Sequence, residues 1–382
     1  MRILNTTLIC LALVLAACSD DTNGEKDQGP GTPDAAGVDQ KVTKPDAEIP
    51  DAFVPDLPPP DTTPWPDLGP DIMNPSSLWV EENIKPANKV QDILGKSATE
   101  IYAVGDKGLL LKYNGTSWSS MVNPDTGKAN LYVVHGHPTS SYWYAAGAAI
   151  VLYISSGSTT WSKGSASTSS YYNQFRDMWG PTSGSYIVGV GEMPYSTTYT
   201  GMTYKSSTTP SSTWSGTYMT SSFQRYLYGI WGTGTSLRVA VGDQGTIMRC
   251  TNSTCSSSSY WSQMTSGTTT NLKDVYGFSA SDIWACGFNG TVIHYDGSKW
   301  NDVSPKATDT YFQGIWGTSK SDIWAVGHPY FKPDESVWHY DGSAWKKVPP
   351  PRTSYLNAVW GVSTSQVWAV GNFNIIKLKK AP

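Results

Sequence analysis

Residues 272–300 read LKDVYGFSASDIWACGFNGTVIHYDGSKW, and the chain then repeats itself. A second copy runs FQGIWGTSKSDIWAVG from Phe312 and resumes as HYDGSAW up to Trp345. Each copy has an aromatic-rich run ending in Gly, a polar turn, and a run ending W-A-V-G or W-A-C-G. A third run ending in Tyr follows, then a turn and a short run bearing Trp. The Gly closing the second run falls at 105, 147, 191, 242, 287, 327 and 371, steps that average about 44 residues. Alternating apolar positions mark the runs as strands with two faces.

A period of this length with four short strands per copy is that of a propeller blade. Asn114-Gly115, Asp296-Gly297 and Asp341-Gly342 supply the positive φ that tight hairpins need between strands three and four. Trp118, Trp161, Trp214, Trp261, Trp300 and Trp345 mark six fourth strands. The last copy stops after Ile375-Ile376-Lys377-Leu378, and a matching piece, Ser77-Leu78-Trp79-Val80, stands before the first. The sequence therefore predicts an all-β, seven-bladed propeller over 76–382, closed by pairing of its first and last strands, with six or eight blades as alternatives. Closure would hide the sheet edges that an open stack exposes.

These motifs resemble those of bacterial propellers of the kelch, BNR and plant-type assembly-factor superfamily, which includes propellers like the galactose-oxidase central domain. The resemblance covers residues 76–382 and implies a fold rather than an activity. The Tyr-Asp-Gly-Ser-x-Trp turns also resemble the Asp-box of sialidase-like propellers but lack its Ser-x-Asp-x-Gly spacing, so no enzyme assignment follows.

Ahead of the repeats the chain changes character twice. Arg2 precedes an apolar run from Leu8 to Ala17, too short to span a bilayer comfortably and ending in small residues, which reads as an export signal. Leu15-Ala16-Ala17-Cys18 resembles the lipobox of bacterial lipoproteins. That resemblance implies cleavage before Cys18 and its acylation. It also implies a lipid-anchored place in the cell envelope, with Ser19 favouring the outer membrane or cell surface. Residues 19–75 hold 12 of the 25 prolines and 13 acidic residues against Lys26, Lys41 and Lys44. Such a stretch cannot bury enough apolar surface to offset its ordering entropy and is expected to be a disordered, extended stalk. With its net −10 and Arg2 removed from the total of −4, the remainder carries +5. That balance is too weak to argue for nucleic acid.

Of five cysteines, Cys10 and Cys18 lie in the leader. Cys250 and Cys255 sit in RCTNSTC at a spacing a disulfide can close in an oxidising compartment, and Cys286 stands where other copies have Val. The 17 tryptophans tempt a carbohydrate reading, yet all but Trp65 fall inside the repeats as packing residues. Tyr-rich loops are better candidates for recognition. Two long second-to-third-strand loops carry Tyr195, Tyr199, Tyr330 and Phe331, and the linker before blade three carries Tyr171 and Tyr172. All should open on one face.

Asp92, Asp177 and Asp274 occupy one repeat position, three residues before the first-strand Gly, and are weak candidates for a cation such as Ca²⁺. Other copies put Gly229, Gly314, Ala358 or Val133 there, so a structural role is the stronger reading. His135 and His137 straddle Gly136, read as a tight turn, and could touch a metal. His294 and His339 are equivalent third-strand positions. Neither HExxH nor G-x-S-x-G occurs. Sialidase chemistry would need converging arginines, whereas Arg225, Arg238, Arg249 and Arg352 share no repeat position. The expectation is a monomeric, non-catalytic module without cofactors, held to a membrane by its anchor and binding a protein or glycan partner but no nucleic acid. A glycan-binding adhesin, or a glycoside hydrolase or lyase on the same fold, is the alternative.

Overall fold

The computed structural model describes residues 78–136, 141–164, 174–181, 186–192, 201–207, 214–218, 225–235, 237–306, 309–329, 335–351 and 355–379. The chain divides into two units, Met1–Asp67 and Leu68–Pro382, and every described residue belongs to the second. Among the described residues helix is confined to three single 3₁₀ turns, Asp106–Gly108, Asp243–Gly245 and Ser258–Tyr260. Among the described residues no helix is long and apolar enough to cross a membrane.

The strands pair into seven four-stranded antiparallel sheets. Six of these use four consecutive strands; in order they cover residues 90–120, 131–163, 174–218, 227–264, 272–302 and 311–347, here blades one to six. The seventh joins Leu356–Ser363, Gln366–Gly371 and Ile375–Leu378 to Trp79–Glu81 from the other end of the repeats. Its register sets Trp79 opposite Leu378, Val80 opposite Lys377 and Glu81 opposite Ile376. The first strand of blade one, Val90–Ser97, packs against the first strands of both blade two and blade seven. A ring of radial sheets closed this way is a β-propeller.

Glycine spacing follows from one close approach. In each blade the chain entering the first strand runs under the end of the second, with no room there for a side chain. A Cβ on Gly105 would lie 2.0 Å from the Lys89 carbonyl oxygen, and one on Gly371 would lie 1.9 Å from that of Tyr355. The backbone at Gly105 is extended, with φ −172°, so the requirement is space and not conformational freedom.

Neighbouring blades interlock through a second glycine. The Trp360 indole of blade seven covers Gly95 of blade one, where a Cβ would meet it at 2.3 Å, and Trp231 covers Gly277 in the same way. Fourth-strand tryptophans seal the outer ends of the blades: Trp118, Trp161, Trp214, Trp261 and Trp300 are buried. Trp79 is 1% exposed and meets Trp324 of blade six edge to face at 5.4 Å, a contact worth about 0.5–1.5 kcal/mol beyond its area.

The equivalent histidines are structural. His294 bonds Asp282 at 2.8 Å and packs tilted against Trp284, while His339 bonds Asp322 at 2.7 Å and packs tilted against Trp324. His135 corrects the sequence reading. Gly136 is not a turn but the last residue of the strand Leu131–Gly136, paired with Trp143, because the Trp143 ring fills the place of a side chain there. Cys250 and Cys255 are joined by a disulfide, and Cys286 is fully buried, its thiol pKa pushed up by burial.

Candidate functional site

Every blade carries a register shift at the same point of its first strand, between Val90 and Asp92 in blade one and at the equivalent residues of the other six. A bulge leaves one residue without a partner and re-aims its side chain. The skipped residues are Gln91, Tyr132, Arg176, Tyr228, Lys273, Gln313 and Asn357. All stand at the start of the innermost strand, on the face that also receives the inter-blade linkers and the second-to-third-strand turns. The fold thus repeats one irregularity seven times and lays a ring of polar and aromatic side chains around the axis at that face.

Adjacent members of the ring interact. The Arg176 guanidinium lies over Tyr132 of the preceding blade at 4.6 Å, and the Lys273 ammonium lies over Tyr228 at 3.5 Å. Lys273 also faces Phe288 at 4.8 Å, which stacks on Tyr311 at 4.8 Å. Asn357 donates to the Val90 carbonyl at 2.6 Å and bonds His328 Nε2 at 2.9 Å, and His328 meets Tyr355 edge to face. Gln91 donates to Asp106 at 2.7 Å.

The charges here crowd one another. Burial pushes the Lys89 pKa down, and the Arg176 charge adds to that shift while Asp106 opposes it. Burial drives His328 down to about 4; Asn357 opposes this, and Lys89 and Lys273 push the same way. Lys89, Arg176 and Lys273 thus stand near an imidazole that is neutral at neutral pH, with Asp106 as a nearby acid. Like charges brought together in a desolvated place cost free energy, and such places are candidates for function.

Directly below, Asp92, Asp177 and Asp274 act as staples. One carboxylate oxygen of each accepts the next backbone N–H of its own strand, from Ile93, Met178 and Val275. The other oxygen accepts a backbone N–H of the following blade, from Val134, Ile230 and Ile315, at 2.7–2.8 Å. Blades one and two, three and four, and five and six are pinned in pairs. Burial raises all three pKa values, Asp92 to about 6, and the backbone bonds oppose it; Asp274 and Asp92 raise Asp177 further, and Asp92 raises Asp274. The three stand at one equivalent position of the innermost strands of blades one, three and five. They do not make the weakly expected cation site: among the described residues, no three His, Cys, Asp or Glu side chains are placed to share one metal. Their lone pairs serve the backbone instead.

Among the described residues, five blades close the same face with one type of turn after the second-strand Gly. Each has a non-glycine residue in the left-handed region: Lys107, Ala149, Gln244, Asn289 and Phe373, at φ 51–61°. Linkers of the next blade brace these turns, as where Asn130 accepts from the Lys107 N–H and Asn271 from the Gln244 N–H, both at 2.8 Å. Asn tolerates this conformation well; a bulky aromatic does not. Phe373 is nonetheless there, 60% exposed, in a turn tied by the Asn372 N–H to the Tyr355 carbonyl at 2.9 Å.

Tyr171, Tyr172, Tyr195, Tyr199, Tyr330, Phe331, Cys18 and His137 lie outside the described residues. Sequence reasoning missed the bulged ring, because its residue types differ from blade to blade and form no motif. The available signal was positional: each ring residue directly precedes the Asp, Gly, Ala or Val position already recognised. On the rim opposite this face, Trp284, His294, Val303, Lys320, Ser321 and Tyr340 border a cavity of about 280 Å³ between blades five and six.

No protein-family model matches the chain, and no curated protein matches it by sequence. Solved structures do match in shape. The fold is that of known propellers. The chain is similar to a YCF48 bound to D1 peptide, with a TM-score of 0.60 at 13% identity over 78% of this chain and 95% of that one. It is similar to YCF48 from Cyanidioschyzon merolae, with a TM-score of 0.59 at 15% identity over 78% and 98%. The WD40 repeats of RRP9 give 0.60 at 7% identity over 79% and 97%. At such identities the likeness concerns fold alone.

Proposed function

We propose that this chain is a lipid-anchored protein of the cell envelope whose propeller is a non-catalytic, protein-binding module. The observation that carries the binding half is the bulged ring. Seven equivalent distortions present amides, tyrosines and two cations on one face. A propeller that holds a peptide, as YCF48 does with the D1 peptide, supports this reading by analogy. The anchoring half rests on Cys18 in its lipobox-like context and on the Pro-Asp stalk that would hold the head away from a bilayer. In a bacterial host, metabolic labelling with a palmitate analogue should mark the chain and should fail on Cys18→Ser; equal labelling of both would remove the anchor. Crosslinking in intact envelopes should yield one stoichiometric protein adduct, and hydrolysis of a polysaccharide by the purified chain would overturn the non-catalytic reading.

A further inference from the structure

We infer that Arg238 is the core of a carboxylate-binding site in the seam between blades three and four, closed by the ring of Tyr186. Arg238 is the second residue of the strand Leu237–Gly242 and lies opposite Gly232. The same register, opposite a glycine, is held by Ile101, Trp143, Ile283, Ile323 and Val367 in blades one, two, five, six and seven, all 1% exposed or less. The fold fills this position with a buried apolar side chain, and blade four puts a cation there instead. Arg238 is 0% exposed, and its Nε and Nη1 find no hydrogen-bond partner. Its Nη2 donates to the Tyr186 hydroxyl, which donates on to the Ser253 carbonyl. The guanidinium carbon stands 4.7 Å from the Trp179 ring and 5.3 Å from the Tyr186 ring. Burial lowers its pKa, yet a guanidinium keeps its charge at neutral pH. Among the described residues no Asp or Glu forms an ion pair with it. The aromatic faces offset part of the desolvation, but a buried cation with two idle nitrogens costs free energy that an isoleucine would not. That cost, kept where other blades use isoleucine, points to a ligand. The chemistry of the ligand follows from the guanidinium fork. A phenol brings one oxygen and satisfies one nitrogen, whereas a carboxylate brings two, side by side, to match two N–H groups. With the half-buried Tyr186 turned aside, one carboxylate oxygen takes the phenol's place on Nη2 and the other reaches Nη1 or Nε. Trp179 stays as the platform, since its indole also covers Gly232, where a Cβ would meet it at 3.1 Å. Arg238 is not a member of the bulged ring, so the site does not depend on what that ring binds.

The test titrates the purified full chain, carrying isotope-labelled arginine, with sodium acetate and in parallel with sodium chloride at equal ionic strength, followed by nuclear magnetic resonance. The Nε–H resonance of Arg238 is the one missing from the spectrum of Arg238→Ile. It should move saturably with acetate and far less with chloride, which cannot engage two N–H groups side by side. Arg238→Ile should melt roughly 3 °C or more above wild type in chloride, which an arginine serving structure alone would not allow. Tyr186→Phe removes both hydroxyl bonds that hold the lid and should tighten acetate binding about fivefold. An Nε–H signal that ignores acetate or follows chloride equally would overturn the inference, as would a lower melting temperature for Arg238→Ile or weaker acetate binding by Tyr186→Phe. The source of the carboxylate is read from the envelope adduct. Loss of the adduct in Arg238→Ile assigns the group to an acidic residue of the protein partner. Its retention beside a saturable acetate response assigns the site to a small solute carboxylate.

Discussion

Replacing Asp92 by Asn should change stability in a way that reverses with pH. The carboxylate accepts two buried backbone N–H groups, from Ile93 and from Val134 of the next blade, both at 2.8 Å. An amide keeps one acceptor and turns an NH₂ toward the other donor, which costs about 1–2 kcal/mol. Against that, the native carboxyl titrates near 6 instead of 3.8 because it is buried. Its folded pKa is raised, so the stability it contributes is complete below the unfolded pKa. That stability falls as the pH rises from about 4 through 6, by roughly 3 kcal/mol in all. The amide escapes that loss, and it also removes a charge that raises Asp177 and Asp274. Chemical denaturation of both proteins should therefore find Asp92→Asn less stable by about 1–2 kcal/mol at pH 4 and equal or more stable at pH 8. His328, whose pKa is lowered, gives an opposite slope between pH 4 and 6.5, but it is common to both proteins and cancels in the difference. A difference that stays constant from pH 4 to pH 8 would refute the account of these carboxyls as desolvated staples.

Gly105→Ala should destabilise by about 3 kcal/mol because its methyl would collide with the Lys89 carbonyl. Gly157→Ala, at φ +84° with open space around it, should cost only about 1 kcal/mol; thermal melts that rank the pair the other way would argue against the close-approach explanation. Trp79→Ala should cost about 3–5 kcal/mol, since it removes the large buried side chain of the strand that the first end of the repeats lends to blade seven. An unchanged melting temperature would mean that the ring does not depend on that strand.

Much of the architecture could be read from residues because the period is local. The Asp296-Gly297 turn, the closing Gly287 and the Trp300 that follows are set by short-range sterics and by the two-residue alternation of strands. The orphan strand at Trp79 was visible for the same reason, since a missing fourth run at one end matches a spare one at the other. The structural role of Asp92, Asp177 and Asp274 was legible from the small residues at equivalent positions, though not the partner each finds in the following blade.

What the sequence determined by itself is the repeating blade, because each strand's faces and each turn's backbone are chosen within a few residues. Only the tertiary structure decided which side chains meet around the axis. Arg176 finds Tyr132, Lys273 finds Tyr228, and Lys89 feels Arg176 some 87 positions away in the chain. The bulge that re-aims them arises from pairing between strands, and closing the ring brings distant blades to one mouth; neither relation is written in any short stretch of residues.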